Sequence, residues 1–172
     1  MKNSISLNEI TKLIYENGYD IITSSNMKAE QKFVQHGTIS CYEHSIFVAY
    51  MSTWITLRFN AEVDMRSMIR GALLHDYFLY DWHIADKSHR MHGFTHAQTA
   101  LRNAERDFTL NIIEQDIISK HMFPLNHNIP RYKESVIVNF ADKICTVCEV
   151  MFSDSSDSIV KAVKERFSYG IY

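Results

Sequence analysis

The sequence predicts an all-α fold, a single-domain bundle of about six or seven helices, on three observations. Two prolines and five glycines in 172 residues are too few breakers for many short strands and tight turns. Apolar residues recur at three- and four-residue steps through much of the chain. Helix-capping residues, Asn8, Asp64, Thr95 and Asn111, stand just ahead of such stretches. Almost half of the residues are apolar, enough for a packed core.

Asn8 is expected to cap a first helix that runs to about Glu16 and is ended by Gly18. Residues 27–36 form a short segment closed by Gly37. A long helix follows from about Cys41 to Phe59, with Ile46, Phe47, Tyr50, Met51, Trp54 and Leu57 at helical spacing. Asp64 caps the next, in which Met65, Met68, Ile69, Ala72 and Leu73 lead to His75-Asp76. Residues 77–94 are read as a loop rich in aromatic residues, His and Asp. Thr95 caps a helix to about Phe108, and Asn111 caps another through Ile112, Ile113, Ile117 and Ile118 to His121. Pro124 and Pro130 bracket a loop. A long apolar helix runs from about Arg131 to Phe152. Its β-branched run Val136-Ile137-Val138 is read as helix because the periodicity continues through it. Ser153–Asp157 is expected to turn and Ser158 to Phe167 to form a last amphipathic helix. No repeat, linker or boundary divides residues 1–172.

The 18 basic and 20 acidic residues give a formal charge of −2. No basic face is implied, so a nucleic-acid polymer is not an expected partner. A small anion held through a metal is compatible with that balance. No stretch approaches the roughly 18–20 apolar residues that span a bilayer, and the N-terminus lacks a secretory pattern; the expected setting is cytoplasmic, without a membrane partner. Three cysteines, an odd count, do not suggest a disulfide scaffold. Cys145 and Cys148, mid-helix on an apolar face, read as small buried hydrophobes. The oligomeric state is open.

Nine histidines, most of them between His75 and His127, ask for a chemical reading. Leu73-Leu74-His75-Asp76 ends an apolar helix, where both polar side chains can reach into one pocket. A lone His-Asp pair is ordinarily a core-edge histidine beside a capping aspartate. Its company changes that. His44 opens a long apolar helix, His96 lies near the start of another and His121 near the end of a third. Asp142 sits inside the most apolar helix, where an unpaired carboxylate is costly, so it needs a metal, a cation or a donor. Four histidines and two aspartates so placed form the ligand set of a helical bimetal site.

In this order the residues resemble the HD-domain metal-dependent phosphohydrolase superfamily. Tyr42-Glu43-His44-Ser45-Ile46-Phe47-Val48-Ala49 is similar to its first-histidine helix. Ala72-Leu73-Leu74-His75-Asp76 is similar to its name-giving motif, and Ala141-Asp142-Lys143 to its closing aspartate. His96 and His121 resemble the additional ligands of the subset that holds two metals. The resemblance spans roughly residues 36–150. It implies that His44, His75, Asp76 and Asp142 hold one metal and that Asp76 bridges to a second on His96 and His121. His92 competes with His96 for that place. His96 is preferred because Ala97 and Ala100 beside it let the backbone pack close; His92 would then face substrate. Asp76, His92 and Lys143 are the expected catalytic residues, and His36, His92, Lys120, Lys143 and Asp81 the expected substrate contacts. Lys143 has a structural ion pair as its alternative role, and Asp81 a loop cap or a ligand-orienting one.

Without a thiolate, the set suits two divalent or mixed-valence ions, Fe or Mn first, with Mg, Ni, Co or Zn also compatible. The implied reaction is attack of metal-activated water on the phosphorus of a small phosphorylated compound. A nucleotide is suggested by the resemblance and by the loop aromatics Tyr77, Phe78, Tyr80 and Trp82, which otherwise pack over the core. The same superfamily includes di-iron oxygenases on this frame, and a non-catalytic ligand-binding regulatory module is a third reading. His83, His89 and His127 are expected to be solvated.

Overall fold

A computed structural model describes residues 5–83 and 92–151, folded as seven α-helices, one short 3-10 helix and one small hairpin. The expected last helix, Ser158 to Phe167, lies outside the described residues. In order, α1 is Leu7–Ile22 and α2 Ser25–Ala29, followed by the 3-10 helix Glu30–Lys32 and the antiparallel strands β1 (Val34–His36) and β2 (Ile39–Ser40). Then come α3 (Cys41–Phe59), α4 (Met65–Leu74), α5 (His92–Asp107), α6 (Ile112–Lys120) and α7 (Lys133–Met151). No described helix is long and apolar enough to cross a membrane.

Several expected boundaries shift for identifiable reasons. Ser6, not Asn8, caps α1, its hydroxyl accepting from Glu9 N–H at 3.1 Å. Gly18 does not end α1 but lies buried inside it, where a Cβ would stand 2.4 Å from Leu73 Cδ1; the glycine serves a close helix crossing. The segment before Gly37 is helical only to Lys32 and then enters the hairpin, whose turn needs the φ of +56° that Gly37 adopts. Thr95 lies inside α5, which begins at His92. The caps at Asp64 and Asn111 are as expected. Asp64 accepts from Ser67 N–H, and Asn111 forms a reciprocal capping box with Glu114.

The helix that ends at His75 is central. Ser67 through Leu74 are all buried, because α1, α3, α5, α6 and α7 all pack against α4. Met68, Ile69, Ala72, Leu73 and Leu74 are fully enclosed, each large side chain contributing about 1.5–3 kcal/mol of burial. Gly71 lets α6 approach, with Ile117 occupying the space a side chain would take. Arg70, buried on the same helix, bridges Asp20 of α1 and Glu114 of α6 at 2.7 and 2.9 Å. The end of α4, and hence His75 and Asp76, is thereby delivered to the interior of the bundle.

Candidate metal centre

Two of the histidines are aimed by the same local device. His75 and His121 are the C-cap residues of α4 and α6. Helix ends leave carbonyls without an intrahelical partner. His75 Nδ1 donates to Ala72 O and His121 Nδ1 to Ile118 O, both at 2.8 Å. A carbonyl only accepts, so each Nδ1 carries a proton, and Nε2 is the atom that each ring, when neutral, presents to the site as a lone pair.

The side chains converge in two groups, His44–His75–Asp142 and Asp76–His96–His121, all buried. Within each group one ligand atom per residue lies within 4.8 Å of the others, as a bound metal ion requires. In the first, His44 Nε2 is 3.1 Å and His75 Nε2 3.6 Å from Asp142 Oδ1. In the second, His96 Nε2 and His121 Nε2 face each other at 2.9 Å and lie 3.4 and 3.3 Å from Asp76 Oδ1. Asp76 joins the two, since its Oδ2 is 3.4 Å from His75 Nε2 and 3.9 Å from His44 Nε2. His75 Nε2 and Asp76 Oδ1 are buried without a hydrogen-bond partner. Inward lone pairs, carboxylates between them and orphaned atoms are what a cation would satisfy, so these residues fit a metal pair.

Charge distribution agrees with that fit. Burial would raise the Asp76 carboxyl, but His75, His121 and His96 outweigh it and hold Asp76 well below the usual carboxylate range. Asp142 is held low in the same way, by His44 and His75 against burial. Burial disfavours charge on His44, yet Glu149 and Asp142 raise it well above the ordinary histidine value. His75 is raised by Asp76 and Asp142 against burial, whereas burial keeps His121 low.

Two residues that the sequence reading did not single out support the ligand atoms. Gln35, on β1, donates from Nε2 to Asp76 Oδ2 at 2.6 Å and accepts from the Cys41 thiol at 3.3 Å. Glu149, on α7, lies 2.8 Å from His44 Nδ1 through Oε2. Glu149 had a signal: it is an acid seven positions beyond Asp142 in the same apolar helix, where an unpaired carboxylate is equally costly. Gln35 had none.

A cavity of about 530 Å³ opens onto Asp76, His96, His121 and Asp142, with Trp82, Pro124, Leu125 and Val147 among its other walls. Lys143 lines it, its Nζ 3.4 Å from His121 O and 3.3 Å from Asn139 O, and burial lowers its ammonium against the opposing effect of Asp142. Lys120, an expected substrate contact, is instead paired with Asp116 and is absent from the cavity lining. Asp81 caps its own loop, accepting from His83 N–H at 2.9 Å, and does not line the cavity either. His36 lies on β1 and His92 opens α5, but both side chains lie outside the described residues. Of the loop aromatics, Tyr77 and Phe78 are buried, Tyr77 joining the core cluster, while Trp82 lines the cavity. Cys145 is buried and Cys148 half-buried, His83 and His127 are exposed, and His89 lies outside the described residues.

The family model described as HD domain matches residues 41–146. That span runs from the first residue of α3 to the helix that carries Asp142 and includes all six convergent residues. No curated protein and no solved structure matches the chain.

Proposed function

The chain belongs to the HD-domain family, and from that premise we propose that it hydrolyses a small phosphate ester, a nucleotide in particular, with two bound metal ions. The family is mostly one of metal-dependent hydrolases. One observation carries the reading: a single buried aspartate, Asp76, has one oxygen toward each of two histidine-carboxylate groups, beside a cavity large enough for a small molecule.

His44, His75 and Asp142 would hold the first cation, His96 and His121 the second, and Asp76 would serve both. The nitrogen and oxygen donors without thiolate favour Fe or Mn. Two cations in such a frame supply activation of water near neutral pH and neutralisation of phosphoryl charge. The chain's own residues do the rest. Lys143 is the one Lys or Arg among the described cavity residues, and a single ammonium suits a single phosphoryl group. Trp82, Pro124, Leu125 and Val147 exclude water and offer apolar surface to a base or sugar. The depressed carboxyls of Asp76 and Asp142 stay ionised at neutral pH, as cation ligands must.

The test is phosphate release from nucleoside phosphates and sugar phosphates by chelated protein resupplied with Mn²⁺ or Fe²⁺. Release is expected only with metal, and His75→Ala or Asp76→Ala should each remove at least one metal equivalent and abolish turnover. Full activity in the chelated protein would overturn the proposal. Oxygen uptake by the iron-loaded protein, without phosphate release, would replace it with an oxygenase.

A further inference from the structure

We propose that Glu149 is a positioning residue that fixes the His44 ring and makes the His44–His75–Asp142 cage the tighter of the two cation sites; this rests on the two-metal reading above. Seven residues separate Asp142 from Glu149 in α7, close to two full turns, so both acids project from one buried face. Between them they grip a single imidazole: Asp142 Oδ1 lies 3.1 Å from His44 Nε2, and Glu149 Oε2 lies 2.8 Å from Nδ1. Glu149 is 3% exposed, and its second oxygen, Oε1, is buried without a hydrogen-bond partner. A buried carboxylate whose hydrogen bonding is so incomplete is a cost to folding, which points to a role in the site.

The contrast with His75 and His121 gives that role its content. Their Nδ1 protons rest on backbone carbonyls, which are neutral, whereas His44 rests on a carboxylate. An anionic partner makes the ring a better donor at Nε2 and holds its plane toward the cation. It also adds charge to one cage only. The first cage has Asp142, the Glu149 carboxylate behind His44, and Asp76 Oδ2 at its edge; the second has Asp76 Oδ1 as its one carboxylate oxygen within the ligand group. Cation affinity should differ in the same sense, so that the first cage fills before the second.

The experiment is calorimetric titration of metal-free full chain with Mn²⁺, in chains that each retain one intact cage. His121→Ala leaves the first cage intact and His75→Ala leaves the second. Adding Glu149→Gln should weaken Mn²⁺ binding about 10–100-fold in the His121→Ala chain and leave the His75→Ala chain unchanged. The unfolding midpoint of the metal-free Glu149→Gln chain separates positioning from general support, because a purely structural role lowers that midpoint and weakens both cages alike. Glu149→Asp, which keeps the charge and withdraws it by one methylene, should weaken the same cage and serves if the glutamine chain does not fold. Two-site Mn²⁺ binding in the wild-type chain with no selective effect of Glu149→Gln overturns this assignment and leaves the hydrolase reading standing. No Mn²⁺ binding by the wild-type chain overturns both.

Discussion

The two oxygens of Asp76 have different neighbours, and that division lets one side chain belong to both cages. Oδ2 accepts from Gln35 and faces the first cage; Oδ1 faces His96 and His121 with no hydrogen bond of its own. Gln35 therefore fixes which way the carboxylate turns. Gln35→Ala should lower Mn²⁺ affinity about 10-fold while leaving helix content unchanged by circular dichroism. Unaltered affinity would show that packing alone sets the Asp76 rotamer. Protonation belongs to the same scale. Against burial, their carboxylate neighbours raise His44 and His75 above the ordinary histidine value of about 6.5, so a cation competes with protons there up to a higher pH than at a free imidazole. The sign follows. In the metal-free chain their contribution to stability is full below about pH 6.5 and is lost as pH rises through the raised folded values. Mn²⁺ affinity changes the other way, rising as pH increases from about 6.5 through the raised folded values, with proton release visible as a buffer-dependent binding enthalpy. A flat profile would mean that neither imidazole is protonated when metal arrives.

Among the helices, α4 positions the site because it is buried on every side and ends at the His-Asp pair. Its closeness to α6 depends on Gly71, where a Cβ would meet Ile117 atoms at 2.5 and 2.9 Å. Gly71→Ala should destabilise the protein by about 1–3 kcal/mol, read from the urea unfolding midpoint, because the helices must separate to admit the methyl group. The same separation would part His75 from His121, whose ring centroids are 5.0 Å apart, so metal affinity should fall with stability. Unchanged stability would mean that Ile117 moves aside without disturbing the crossing. Helix α7 acts differently. It contributes Asp142 and Glu149 to the site and Lys143 and Val147 to the cavity, and Asn139 on it donates to His121 O and, at 2.8 Å, to Phe123 O, tying the loop after α6 in place.

Across the whole molecule, cages drawn from α3, α4, α5, α6 and α7 mean that a bound cation connects most of the bundle. A ligand that binds only the folded state stabilises it by mass action, about 2.7 kcal/mol at roughly 100 times its dissociation constant. For a chain of this size that corresponds to a thermal midpoint about 5–10 °C higher. Mn²⁺ should therefore raise the midpoint and chelation should reverse the gain, a measurement that needs no knowledge of the substrate. An identical midpoint with and without metal would contradict occupation of either cage.

While the family resemblance pointed to the six residues that converge, with His92 competing for the place of His96, local chemistry in the sequence was enough to specify the helical class, the caps at Asp64 and Asn111 and the α3 boundaries at Cys41 and Phe59. Each depends on near neighbours: a cap needs its own first turn, a helix its own periodicity, and a buried Asp142 a partner of some kind. Gly18 inside a helix and the orienting roles of Gln35 and Glu149 were settled only when distant segments met. Leu73 fills the space beside Gly18 from another helix, Gln35 reaches Asp76 from a strand, and Glu149 meets His44 across more than a hundred positions of chain. Such pairings leave no mark within one helical turn of either residue, because what selects them is the shape of the assembled interior.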